Sequence, residues 1–245
     1  LLLAGVDATV TNAVTALASD HGRLVRLLNQ APAPYADLAH VRSQNRDYLS
    51  HLSRNTRQMM RRSLRYYENI GQLSYRCAAT LEEALQLLEE LARAHQAYWR
   101  GRGRPGAFAN PHFRRFHEIL IRSAFNHGHI EVAHVCAGAR TLGYLYNFLW
   151  RGGVYSYQSG FHYEESTIAR PGYVSHYLAI LNSMEMGYNV YDFLAGNAQH
   201  KFSLATGQNN LSWLQISRPA LPVRLESGIR ELVANFRRHG VMPAK

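Results

Sequence analysis

Between His129 and Phe161 the chain runs through three β-rich segments, His129–Cys136, Leu142–Trp150 and Val154–Phe161. Only Ala137–Arg140 and Arg151–Gly153 separate them. Turns this short force antiparallel neighbours, so the middle of the chain reads as a β-meander. A helix pattern follows from about Gly172 to Met186, with Val174, Tyr177, Leu178, Leu181 and Met184 on one face and Gly187 at its end. "NVYDFL" then reads as a short buried strand. With a helix between them, this strand can lie parallel to Val154–Phe161.

The flanks are simpler. Leu1–Val6 is a short apolar run, Thr9–Ala18 has helical character, Arg23–Leu28 reads as a strand and "QAPAPYADL" as a loop. Ser53 caps a helix that Gly71 ends, with an apolar stripe and a basic flank of Arg54, Arg57, Arg61, Arg62 and Arg65. Leu73–Cys77 is a strand. Thr80 and Glu83 form a capping box for a helix on which Leu81, Leu85, Leu88, Leu91, Ala92 and His95 recur at helical spacing. A Gly/Arg-rich loop, a helix over Phe113–Phe125, a late strand at Leu211–Ser217 and a last helix marked by Ile229, Leu232, Val233 and Phe236 complete the pattern. The fold class is α+β (mixed α/β), with a central, mostly antiparallel sheet containing one parallel pair and flanked by helices.

Composition narrows the function classes. With 47% hydrophobic residues the chain buries a core, which excludes a disordered segment. No apolar run approaches the ~18–20 residues of a membrane helix. Cys77 and Cys136 lie far apart without metal-ligand spacing, which suits a reducing, cytoplasmic compartment. The net charge of +10 favours anionic partners. His112 with His117, and His127 with His129, lack the i, i+4 spacing and third ligand of a zinc site, so no metal is expected.

Taken in order, "YLSHLSRNTRQMMRRSLR", "YSYQSGFHYEESTIARPG" and "GYNVYDFLAGNAQHKFSLATG", followed by a closing strand, resemble the GNAT-like acyltransferases of the cellulose-biosynthesis CelD/BcsL type, relatives of the bacterial Fem-type aminoacyltransferases. The resemblance covers roughly residues 35–218. It implies a GNAT-like fold in which a parallel strand pair splays apart, and transfer of an acyl group to an amine. The donor it implies is an acyl-CoA co-substrate or, in the Fem branch, an aminoacyl-tRNA, with no tightly bound cofactor. Because Fem-type members carry two such lobes, residues 1–34 are expected to be the tail of a truncated preceding lobe. Residues 35–245 would then be the acyltransferase domain with a C-terminal helix. Two departures stand out: His162 replaces an acidic residue often found after "SGF", and "ARPGYVS" carries one arginine and one glycine of the usual pyrophosphate loop.

The resemblance puts the donor between the strands at 154–161 and 189–194. Backbone N–H groups beside Gln158, Ser159 and Gly160 would polarise the carbonyl, and Tyr157 would protonate the leaving group. The packing alternative for Tyr157 is a strand residue in the core. Arg170 and Gly172, at a helix start, would hold a donor phosphate; the alternative is an ordinary Pro-Gly helix start with a surface arginine. Base candidates are His162, Glu164, Glu165 and Asp192, or a water chain. Lys201 aligns with a lysine characteristic of the family motif. It either pairs with Asp192 or faces the cleft, where it would hold an acceptor carboxylate or phosphate, or stabilise the oxyanion. Arg54, Arg57 and Arg61 are a solvated face or a contact for a polyanion.

Three functions fit: an N-acyltransferase moving an acyl group from acyl-CoA to an amine of a small molecule, sugar or cell-envelope precursor; a Fem-type aminoacyl-tRNA-dependent transferase; and a non-catalytic binding lobe.

Overall fold

The computed structural model describes residues 1–219. The helix expected around Ile229–Phe236 lies outside the described residues. The chain divides into two compact units, Leu1–Ala31 with the chain from Asn210, and Pro32–Asn209.

In the first unit, β1 (Leu2–Val6) runs antiparallel to the C-terminal part of β8 (Gly207–Ser217), with Leu3 opposite Leu214. α1 (Ala8–Asp20) is capped by Asp7, whose carboxylate accepts the Val10 N–H at 2.8 Å. β2 (Leu24–Asp37) begins here and ends in the second unit.

The second unit holds the meander. β3 (Leu73–Cys77), β4 (Ile130–Ala137), β5 (Arg140–Trp150) and β6 (Gly153–Phe161) pair antiparallel in that order. The β5–β6 turn places Arg151 and Gly152 at φ 47° and 77°, the left-handed pair that a two-residue hairpin requires. β7 (Val190–Asp192) joins the free side of β6 in parallel, and β2 pairs antiparallel with β7 through Tyr35–Asp37. The expected mixed α/β architecture, with one parallel pair in a mostly antiparallel sheet, is what forms.

Because strand side chains alternate, β5 feeds two cores. Leu145 packs with Met60 of α3 (Arg54–Glu68) and with Tyr177 and Ile180 of α6 (Pro171–Glu185). Tyr144 and Tyr146 pack with Leu88 and Leu91 of α4 (Leu81–Arg100) and Ile121 of α5 (Pro111–Ala124). The capping signals act as read. Ser53 Oγ accepts the Thr56 N–H, Thr80 Oγ1 accepts the Glu83 N–H, and Glu83 turns back to the Ala79 N–H at 2.8 Å.

The reading of residues 30–38 as a loop is corrected, because "QAPAPYADL" lies largely in β2, a strand of 14 residues. Pro32 and Pro34 break no ladder, since only their carbonyls are used. These accept the N–H groups of Gly196 and Phe193, both at 3.0 Å. Two short helices also went unread, α2 (Leu38–Ser43) and α7 (Gln199–Leu204). The loop after β7, which holds Gly196, leads into α7, and Lys201 sits on that short helix.

Candidate active site

The site begins with a mismatch of one residue. Opposite β5, Gln158 pairs with Tyr146 but Ser156 pairs with Asn147, so Tyr157 is the extra residue of a β-bulge on β6. A bulge bends its strand and adds twist. On the other side of β6, the parallel register with β7 runs Gly153–Val190, Val154–Tyr191, Tyr155–Asp192 and stops there. The two strands therefore part at the residue before Ser156, and the β6 edge from Ser156 to Phe161 is left without β7 as a partner. Unpaired strand edges present backbone N–H and C=O groups to whatever approaches.

A cavity of about 420 Å³ fills this wedge. Ser156–Phe161 form one wall; His95, Tyr98 and Trp99 of α4 stand on a second; Phe193, His176, His200 and Lys201 close the end toward β7. α4 reaches the strand because residue 160 is glycine. A Cβ there would lie 2.4 Å from the Leu91 carbonyl oxygen and 3.0 Å from Ala94 Cβ.

Lys201 owes its position to the loop after β7. Asp192 Oδ1 accepts the Leu194 N–H at 2.6 Å, a tight Asx-type turn. Leu194 sits at φ 59°, a conformation costly for a branched side chain. In this loop the carbonyls of Leu194 and Ala195 accept from Lys201 Nζ at 3.3 and 3.1 Å. Asp192 and Lys201 thus form no direct ion pair, contrary to the pairing alternative. Burial holds the Lys201 pKa below its ordinary value, and Asp192 opposes that through space. Burial raises the Asp192 carboxyl, offset in part by the Leu194 N–H and by Lys201.

Three imidazoles line the cavity. His95 Nε2 accepts the Trp99 indole N–H at 2.9 Å, which makes Nδ1 the protonated nitrogen, directed to Gln96 Oε1 at 3.2 Å. His176 Nδ1 lies 3.0 Å from the Tyr191 hydroxyl, and its ring stacks on His200 at 5.3 Å and 11°. Burial, then the charge of Lys201, lowers His200 to about 4; burial, then His200 and Lys201, pulls His176 well below 6.5. All three rings are neutral at pH 7. Behind the bulge, the Tyr157 hydroxyl meets His117 Nε2 at 3.2 Å, and burial raises its pKa.

The structure brings Tyr157, Gln158, Ser159, Gly160 and Lys201 together around this cavity. Asp192 shapes its rim without lining it. The other expected residues lie elsewhere. Glu164 accepts from the Tyr66 hydroxyl at 2.8 Å and from Arg140 at 3.1 Å, a surface network outside the wedge. His162 and Glu165 are exposed, and His162 lines a different hollow with Tyr98 and Arg102. Arg170 is exposed in a separate groove with Ser53, Thr56, Tyr173 and Ser203, across α7 from Lys201. Gly172 does not open the helix tip: a Cβ there would meet the Phe161 ring at 3.0 Å, so the glycine makes room for Phe161. Arg54 and Arg61 are exposed on α3, while Arg57 donates to the Leu52 carbonyl at 2.6 Å. Among the described residues no cluster of three His, Cys, Asp or Glu could hold a metal ion, and no helix is long and apolar enough to cross a membrane.

The aromatic and imidazole wall was not singled out in the sequence. One signal was there: His95 ends the buried stripe of α4, one turn before Trp99. His176 and His200 carried none, because their meeting depends on α7.

The meander, the bulge and the parallel pair that parts at it define an acyltransferase-type fold, and comparison with known proteins agrees. The acetyltransferase (GNAT) domain family matches residues 54–202, more than half of the chain, and the chain belongs to that family. No curated protein matches. Among solved structures, the C-terminal domain (DUF2156) of a putative lysylphosphatidylglycerol synthetase from Agrobacterium fabrum is similar at 11% identity and a TM-score of 0.58, covering 91% of this chain and 69% of that one. FemX is similar at 12% identity and 0.58, covering 86% and 71%. L-PGS from Bacillus licheniformis is similar at 13% and 0.54, covering 94% and 71%. At these identities the likeness shows the fold, which is GNAT-like as expected.

Proposed function

We propose that this chain is an N-acyltransferase that moves an acyl group from an acyl-CoA thioester to the amine of a small molecule, sugar or cell-envelope precursor. The observation that carries this reading is the wedge opened at the Tyr157 bulge. It offers unpaired β6 backbone groups on one side and a lysine without a direct carboxylate partner on the other. The thioester carbonyl lies against the Gln158–Gly160 edge, and its developing oxyanion is stabilised by backbone N–H groups and Lys201. The amine nitrogen bonds to the carbonyl carbon, the C–S bond breaks, and the departing thiolate takes the Tyr157 proton. Burial keeps the Tyr157 phenol protonated at pH 7. The amine proton leaves through water, since among the described residues no carboxylate lines the cavity. Acyl-CoA is the co-substrate, with no tightly bound cofactor. We place the reaction in the cytoplasm and the finer kinship with the CelD/BcsL type.

A second reading keeps the fold and changes the donor to aminoacyl-tRNA, as in Fem-type transferases. The exposed Arg54, Arg61 and Arg62 on α3 and the likeness to FemX favour it. Release of free CoA thiol from acetyl-CoA with an amine panel, set beside transfer from charged tRNA, separates the two. Saturable turnover of acetyl-CoA supports the first reading, and turnover only with charged tRNA overturns it.

A further inference from the structure

We infer that the wedge cavity is selective for a substrate bearing an anionic group, a carboxylate or phosphate joined to a flat or apolar portion, and that it excludes cationic acyl and acceptor side chains. This inference rests on the acyltransfer reading for the identity of the ligand as substrate, and on the cavity's own residues for the sign of its charge.

Among the described residues, Lys201 is the one Lys or Arg lining the cavity, and no Asp or Glu lines it. Asp192, which acts on Lys201 through space, is turned to the Leu194 N–H and lies off the lining. Among the described residues, Lys201 Nζ donates only to two neutral carbonyl oxygens. In a partly buried site such a charge is weakly screened, so it attracts an anion and repels a cation more strongly than it would at the surface.

Nothing else on the wall reverses the sign. The imidazoles of His95 and His176 are occupied by Trp99 and Tyr191 respectively, and His176 and His200 stack on each other beside Lys201. Protonating either ring would add a second positive charge next to the first. The remaining wall of Tyr98, Trp99, Phe161 and Phe193 is aromatic and suits an apolar or planar group. An aminoacyl group ending in an ammonium, such as lysyl, would meet Lys201 with no carboxylate on the described lining, Asp192 acting on the lysine only through space.

Three probes of one shape read the charge preference directly: sodium benzoate, phenyl phosphate and benzylammonium chloride, titrated calorimetrically into the whole protein at matched ionic strength. Benzoate or phenyl phosphate should bind saturably and at least about tenfold more tightly than benzylammonium. The tighter of the two anions names the group the site takes. Lys201→Met should erase the difference, and Lys201→Arg should keep most of it. Equal affinities in the wild type, tighter binding of benzylammonium, or an unchanged preference in Lys201→Met overturns the inference. The contrast among probes in the wild type stands even if one variant folds poorly. An acetyl-CoA titration on the same samples separates the two readings. An anion preference without acetyl-CoA binding leaves this inference standing and removes the CoA donor. Acetyl-CoA binding with no anion preference does the reverse.

Discussion

The Tyr157 hydroxyl lies 3.2 Å from His117 Nε2, and the other nitrogen of the same ring lies 3.3 Å from the Tyr146 hydroxyl. A neutral imidazole has one N–H, so at least one of these phenols donates to it. Burial lowers the His117 pKa and raises that of Tyr157, so both groups stay neutral at pH 7. His117 thereby fixes the bulge residue at the cavity wall. Tyr157→Phe should lower kcat by about a hundredfold, the scale of general-acid loss, with little change in KM for the donor. Steady-state kinetics of thiol release reads both constants. An unchanged kcat removes Tyr157 from the chemistry.

Gly160 tests the packing that makes the wedge. A methyl group there would press on the Leu91 carbonyl oxygen at 2.4 Å, and that oxygen belongs to helix backbone with no freedom to swing aside. Gly160→Ala should cost about 1–3 kcal/mol by overpacking. For a chain of this size that corresponds to a Tm fall of roughly 2–12 °C, measured by calorimetry. A Tm equal to that of the wild type would mean that α4 is free to shift away from β6.

Acid should destabilise this chain through its buried imidazoles. His95, His117, His176 and His200 all have folded pKa values below 6.5, with burial the leading cause in each. The unfolded state therefore binds more protons once the pH falls below about 6.5, and stability rises with pH across that window. For His200 the loss accrues between 6.5 and about 4 and then levels off. Tm recorded from pH 7.5 down to 4.5 should fall, and His200→Asn should flatten part of the slope. A variant slope as steep as that of the wild type removes His200 as a contributor.

Much of the fold could be read because its signals are local. Short Gly-containing turns set the antiparallel meander, Ser53 and Thr80 cap their helices, and the α6 crossover places β7 parallel to β6. The prolines of β2 misled because proline signals a break, whereas here only the Pro32 and Pro34 carbonyls are needed. Part of the wedge lining was legible as well, through the family resemblance: it pointed to Tyr157, Gln158, Ser159, Gly160 and Lys201, which share the cavity. What escaped is long-range. The bulge at Tyr157 is a register event between two strands. The wall of His95, Tyr98 and Trp99 reaches β6 only because residue 160 lacks a side chain. Glu164 could not be seen to belong to Tyr66 and Arg140, since those partners lie far away in the chain.

That last point is itself testable. With its carboxylate engaged by Tyr66 and Arg140 and outside the cavity, Glu164→Gln should leave kcat and KM within about twofold, with a stability change of at most about 1 kcal/mol, as for exposed ion pairs. A collapse of kcat in a variant whose Tm is unchanged would return Glu164 to the list of candidate bases.

The account turns on the parting of β6 from β7 as the seat of the acyl group, and a crystal structure with a non-transferable ketone analogue of acetyl-CoA tests it most directly. The analogue's carbonyl oxygen should lie within about 3 Å of a backbone N–H on the Gln158–Gly160 edge, on the Lys201 side of the cavity. An empty wedge at saturating analogue, or the analogue bound with its carbonyl away from that edge, contradicts the account.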